Sequence, residues 1–148
     1  MEPQAQRLLV AVTRVPGSTV ACAARGDAAM FAALRAYYAI AAQATRAAGG
    51  RFIKAMGDSV LLTFPLDRID AAVTGLRELQ QQGTTTWRQF DERCYVQVKG
   101  RVGSVLAGML GAPGEEHFDV IGDALNQLIK APWQDFDVQS NPSDVATR

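Results

Sequence analysis

The sequence predicts an α+β domain, a ferredoxin-like βαββαβ sandwich with helices on one face of an antiparallel-rich sheet. Three observations carry this reading. Short apolar runs closed by glycine or proline alternate with longer stretches whose apolar residues recur every three to four positions. Two of the apolar runs, Arg51–Met56 and Ser59–Phe64, are joined only by Gly57-Asp58, which folds them into a hairpin. The chain of 148 residues is 48% hydrophobic and 20% charged with a formal net charge of zero. A chain of that length forms one domain and buries roughly 70% of its unfolded surface.

Taken in order, "RLLVAVTRV" (Arg7–Val15) is a buried first strand stopped by Pro16-Gly17. Gly26–Ala48 is free of proline, with Met30, Phe31, Leu34, Tyr37, Tyr38 and Ala41 at helical spacing, and Gly49-Gly50 ends it. The hairpin follows. Asp67–Gln82 is a second amphipathic helix with Ile69, Val73, Leu76 and Leu79 on one face, and Gly83–Arg93, with Trp87, reads as a polar loop. "CYVQVKGRV" and "SVLAGML" read as two strands divided at Gly103. Asp119 lies in a strand-like "FDVIG", Asp123–Lys130 is a short helix closed by Pro132, and "DFDVQS" is a last strand. Residues 1–139 are read as a single domain and 140–148 as a disordered tail.

Balanced charge, 15 basic against 15 acidic residues, excludes a general affinity for nucleic acid. No apolar run reaches 18 residues and the N-terminus lacks a signal-peptide pattern, so the expectation is a cytoplasmic chain without a membrane segment. Cys22 and Cys94 stand outside any CxxC or His spacing and are expected as two buried thiols rather than a disulfide. "GSVLAGMLGAPG" is not a phosphate loop, because Met109 stands where the loop's lysine belongs. His117 follows two glutamates without a nucleophile or ligand partner and reads as an exposed side chain.

Two segments carry chemistry. The hairpin places Lys54 four residues before Asp58, which sits at the tip; by itself this is ordinary turn chemistry with a solvated lysine. "EEHFDVIGDALNQLIK" then adds Asp119, followed by Asn126 and Lys130 at i, i+4 on one helix face. Together they supply a carboxylate for a metal, a lysine and an aspartate to read a base, and an amide and a cation for sugar and phosphate, a set suited to a purine nucleotide.

From about Leu8 to Lys130 the chain resembles a class III adenylate/guanylate cyclase catalytic domain, in a degenerate form. "GGRFIKAMGDSVLLTF" resembles the family's GG–K–GD hairpin, "GSVLAGMLG" its following strand pair, and "FDVIGDALN" its D–x–x–G–(D/N)–x–x–N motif. The resemblance implies conversion of ATP to 3′,5′-cyclic AMP and diphosphate, in cyclic nucleotide signalling. It makes Asp58 a metal ligand, Lys54 and Asp119 the adenine-selecting pair, and Asn126 and Lys130 the catalytic groups on ribose and phosphate. The chemistry agrees: adenine offers an acceptor at N1 and a donor at its amino group, lysine only donates, and a carboxylate only accepts. Family sites form across a head-to-tail dimer, which implies a homodimer, or a heterodimer with another cyclase chain, holding Mg²⁺ or Mn²⁺.

The match breaks at "AVTRVPGST". Arg14 falls where the family's first metal aspartate belongs, Ser18 replaces a phenylalanine, and Lys130 replaces an arginine, losing the bidentate fork. A unit cation about 4 Å from a dication is repelled by roughly 8 kcal/mol at an effective dielectric near 20. Arg14 is expected to pair with Asp58 or to touch a phosphate directly. Two functions stand side by side: an adenylate cyclase that is weak or depends on another chain's ligand, and a non-catalytic module that dimerises, senses a nucleotide and needs no cofactor.

Overall fold

The computed structural model describes residues 2–141. In chain order the elements are β1 (Gln4–Arg14), α1 (Ser18–Arg25), α2 (Asp27–Ala47), β2 (Arg51–Met56), β3 (Ser59–Pro65), α3 (Ile69–Phe90), β4 (Gln97–Leu110), β5 (His117–Ile121), α4 (Asp123–Lys130) and β6 (Phe136–Gln139). The strands form one sheet in the order β2-β3-β1-β4-β5, with β6 beside β4. All pairings are antiparallel except β4–β6, which is parallel.

β1 explains the layering. Its side chains alternate between two apolar clusters: Leu9 and Ala11 join Tyr37, Leu76 and Leu79 under α2 and α3, while Val10 and Val12 join Leu125 and Leu128 of α4. A strand covered on both sides reads as an unbroken apolar run, which is what "LLVAV" is. The two long helices thus share one face as expected, and short α4 covers part of the other. The sheet also coils strongly. Its opposite edges β2 and β5 meet, with the Arg51 guanidinium 3.7 Å from the centre of the Phe118 ring.

Three segments differ from the sequence reading. Ser18–Arg25 forms α1, which no pattern in the sequence marked. The expected loop at Gly83–Arg93 is mostly the continuation of α3, which runs to Phe90. Its Gly-Thr-Thr-Thr run is a poor helix former, but the anchor beyond it overrides propensity. Trp87 is fully buried and meets the Tyr37 and Phe90 rings edge-on at 5.7 and 5.8 Å. Gly83 is needed there because a Cβ would come within 3.0 Å of the Tyr37 ring. The two strands expected around Gly103 are one strand, β4. Gly103 does not break it; a Cβ there would lie 2.5 Å from the Ala124 Cβ, so the glycine lets α4 settle onto the sheet.

The β6 strand occupies most of the expected "DFDVQS". Of the expected tail, residues 140–141 carry no regular structure and residues 142–148 lie outside the described residues. Both thiols are free; Cys94 is buried as expected, whereas Cys22 is only half-buried.

Candidate functional site

The hairpin tip is built by a two-residue turn between the paired Met56 and Ser59, with Gly57 in the left-handed region at φ +57°. The Tyr38 hydroxyl donates to the Gly57 carbonyl and tethers the tip to α2. Asp58 then faces the end of β1. Its Oδ2 accepts the Ser18 hydroxyl at 2.6 Å and the Val15 N–H at 3.2 Å. α1 begins at Ser18, has no acidic residue in its first turn and has no side-chain cap of its own. Asp58 supplies from the hairpin the negative charge that this helix end favours.

Arg14 does not pair with Asp58, contrary to expectation. Successive β-strand side chains point to opposite faces, and Arg14 falls on the Val12 side, toward α4. Its Nε donates to Gln97 Oε1 at 2.7 Å, and its guanidinium carbon lies 4.9 Å from the centre of the Trp133 ring. Among the described residues no group of three or more His, Cys, Asp and Glu side chains gathers to hold a metal ion. At the end of β1 the chain offers Arg14 in place of a second carboxylate, and one Asp58 oxygen, Oδ2, already accepts two hydrogen bonds. The residues of this chain do not fit a two-metal arrangement.

The structure does bring Lys54 and Asp119 together. Lys54 Nζ lies 3.0 Å from Asp119 Oδ2, although β2 and β5 are opposite edges of the sheet. A β-bulge aims the lysine: the β2–β3 register shifts between Phe52 and Lys54. Phe52 and Ala55 therefore pack on the α2–α3 side, while Ile53 and Lys54 both turn to the α4 side. Asp119 is only 6% exposed, and the Lys54 side chain 38%. Asp119 Oδ1 accepts the Val120 N–H at 2.8 Å, and His117 Nε2 lies 3.6 Å from Oδ2. Burial opposes the charge on Asp119, but the Lys54 ammonium and the Val120 N–H hold its pKa below the usual carboxylate value. Lys54 keeps two N–H donors and lines a groove of about 260 Å³ whose other walls include Val12, Leu125, Ile129 and Trp133.

α4 lies along this groove. Leu125 and Leu128 are buried beneath it, while Asn126 and Lys130 are exposed together on its outer face. Among the described residues no hydrogen bond or ion pair joins Asn126 or Lys130 to Asp58, whose Oδ2 is held by Ser18 and Val15. The C-terminal end of the helix is held by Lys99, fully buried on β4, whose Nζ donates to the Ile129 carbonyl at 3.0 Å and the Ala131 carbonyl at 2.7 Å. Burial first, then Arg101 and Arg14, draws its pKa below the usual lysine value. Sequence reasoning noted Ser18 only as a departure from the motif, without its bond to Asp58, and missed Lys99 and Trp133. A lone lysine or serine in an apolar stretch carries no signal; Trp133, just past α4 beside Pro132, could have been suspected as a wall.

Comparison with known proteins adds to this geometry. No protein-family model matches the chain, and no curated protein matches it in sequence. Solved structures do match. A bacterial light-regulated adenylyl cyclase is similar at TM-score 0.75 and 19% identity, over 88% of this chain but only 40% of that one. The adenylyl cyclase CyaB from P. aeruginosa matches at TM-score 0.82 and 18% identity, over 93% of this chain and 79% of that one. The guanylate cyclase domain of RhGC from Catenaria anguillulae, solved with GTP, matches at 0.78 and 17%, over 95% and 82%. Identities this low carry the fold and leave base choice and activity open. Over 88–95% of the chain, at TM-scores of 0.75 to 0.82, the backbone follows these structures: this chain has the fold of the class III adenylyl and guanylyl cyclase catalytic domain.

Proposed function

We propose that this domain is half of a dimeric, adenine-nucleotide-binding cyclase module whose own metal site is too incomplete for efficient formation of 3′,5′-cyclic AMP. The observation that carries the reading is the Lys54–Asp119 pair, donor against acceptor at 3.0 Å, with Lys54 lining a groove of about 260 Å³. The ammonium suits adenine N1, the carboxylate suits its amino group, and guanine presents the reverse pattern. Asn126 and Lys130 would meet ribose and phosphate from a face of α4 that this chain leaves open. A dimer is supported by the β4–β5 ribbon, where Leu106 and Ile121 are paired in register yet 39% and 50% exposed.

The reading rests on the nucleotide and not on metal chemistry, since Asp58 is committed to Ser18 and Val15. The exposed Asn126 and Lys130 favour a second reading, in which a partner chain brings the metal carboxylates and turnover appears only in the mixed dimer. Calorimetric titration of ATP and GTP, beside a cyclic-AMP assay with Mg²⁺ and Mn²⁺ and sedimentation of the free protein, tests both. The expected results are a dimer, ATP bound at least several-fold more tightly than GTP, loss of that preference in Lys54→Glu, and little turnover. Equal affinity for ATP and GTP in the unmutated protein would refute the base-reading role; brisk Mg²⁺-dependent turnover by the homodimer would refute the impaired metal site.

A further inference from the structure

Trp133 belongs to none of the motifs discussed above, yet it lines the groove that Lys54 enters. Two cations hold its indole. Lys99 Nζ is 4.1 Å from the ring centre, and because Lys99 is fully buried it reaches the ring from the protein interior. The Arg14 guanidinium carbon is 4.9 Å from the same centre and is itself fixed by Gln97. The segment carrying the indole is pinned from both sides: Lys99 bonds to Ile129 and Ala131, and Gln97 Nε2 donates to Asp135 Oδ1 at 3.1 Å. Ile129 and Met56, at 56% and 72% exposure, leave an apolar rim at the groove's mouth. An aromatic wall held rigid, an apolar rim and one ammonium suit a flat heterocycle with acceptors on its edge and apolar faces.

We propose that Trp133 is a base-contacting residue of this groove, and that Arg14 and Lys99 act as positioning residues through its ring. This assignment rests on the nucleotide-binding reading above and adds a residue to it. Position 14 then has a use of its own: the cation that stands in place of an acidic residue steadies the indole.

The chain has two tryptophans, and Trp87 is fully buried under α2 and α3, so Trp133→Phe identifies the emission from the groove. Fluorescence titrations with ATP, with adenosine and with inorganic triphosphate are run on the full chain and on Trp133→Phe, Trp133→Ala, Arg14→Gln and Lys54→Ala. The expected pattern is quenching by ATP and adenosine but not by triphosphate, and its disappearance in Trp133→Phe. Calorimetry should then show about two-fold weaker ATP binding in Trp133→Phe and about ten-fold weaker in Trp133→Ala, the scale of one base–aromatic contact. Arg14→Gln should shift the emission of the free protein and weaken binding less than Trp133→Ala. ATP binding that depends on Lys54 but is unchanged in Trp133→Ala overturns this assignment and leaves the nucleotide reading intact. Quenching by triphosphate alone also overturns it, because the ring would then be reporting the phosphates. Absence of ATP binding by calorimetry overturns both.

Discussion

At the scale of single residues, the hairpin tip shows a side chain put to a different use from the one its motif suggests. Asp58 sits where a cation ligand is expected, and its carboxylate is satisfied by a hydroxyl and a backbone N–H at the start of α1. Hydrogen bonds to a charged acceptor contribute about 1.5–3 kcal/mol. Ser18→Ala should therefore cost about 1–2 kcal/mol and lower the melting temperature by a few degrees for a chain of this size. Asp58→Ala should cost a similar amount, and the double substitution should cost less than the sum, because both remove the same bond. Mn²⁺ should not raise the melting temperature of the unmutated protein. A strictly additive pair would show that the Ser18–Asp58 bond contributes nothing, and stabilisation by Mn²⁺ that disappears in Asp58→Ala would show that Asp58 serves a metal after all.

At the scale of elements, α4 is a short helix placed by two unrelated contacts. Gly103 gives it a flat seat against Ala124, and buried Lys99 ties down its last carbonyls. Eight residues make a marginal helix by themselves, so docking rather than propensity holds it. Gly103→Val should push α4 off β4 and destabilise the domain by about 1–3 kcal/mol, the usual cost of overpacking. Lys99→Met keeps the length of the stem but leaves two carbonyls without their donor, and is expected to fray α4. Amide exchange read residue by residue is the check. Faster exchange confined to α4 and the segment after it supports this account, whereas uniform loosening of the whole sheet would contradict it.

At the scale of the whole molecule, two buried carboxylates join elements that are distant in sequence. Asp91 lies at the end of α3, bonds Arg93 at 2.8 Å and faces Arg25 of α1 at 3.7 Å. Its hydrogen bonds with Arg93 hold its pKa well below the usual carboxylate range. Asp119 clasps the two sheet edges through Lys54, and its pKa is likewise lowered. The native state then binds fewer protons than the unfolded chain in mildly acidic solution. These carboxylates stabilise the fold above the unfolded value of about 3.9, and that stability is lost as pH falls through the lower native values. Asp91→Asn and Asp119→Asn should each lower stability at pH 7 and flatten its decline between about pH 4 and 2. Melts of both variants across that range are the test; an unchanged slope would mean that other groups drive acid unfolding.

The sequence by itself determined most of the elements and their order, because they follow from local periodicity and turn chemistry; α1, the far end of α3 and the continuity of β4 were not among them. "LLVAV" reads as a buried strand, Gly57-Asp58 as a hairpin, and Met30 to Ala41 as a helix. It also named Lys54 and Asp119 as partners from their motifs, and the structure brings them together. What it could not show depends on contacts between residues far apart in the chain. The bulge that turns Ile53 and Lys54 to one side is a register shift against β3, which no residue type announces. Trp87 extends α3 through a run of poor helix formers because its burial outweighs their propensity. Gly103 looks like a break until Ala124 is seen against it. The fate of Arg14 and Asp58 was decided the same way. Strand parity sends Arg14 toward Trp133, and the entry into α1 brings Ser18 to Asp58. Charge at a motif position is local and legible in sequence, whereas the partner that neutralises it is chosen by the packing of the whole chain.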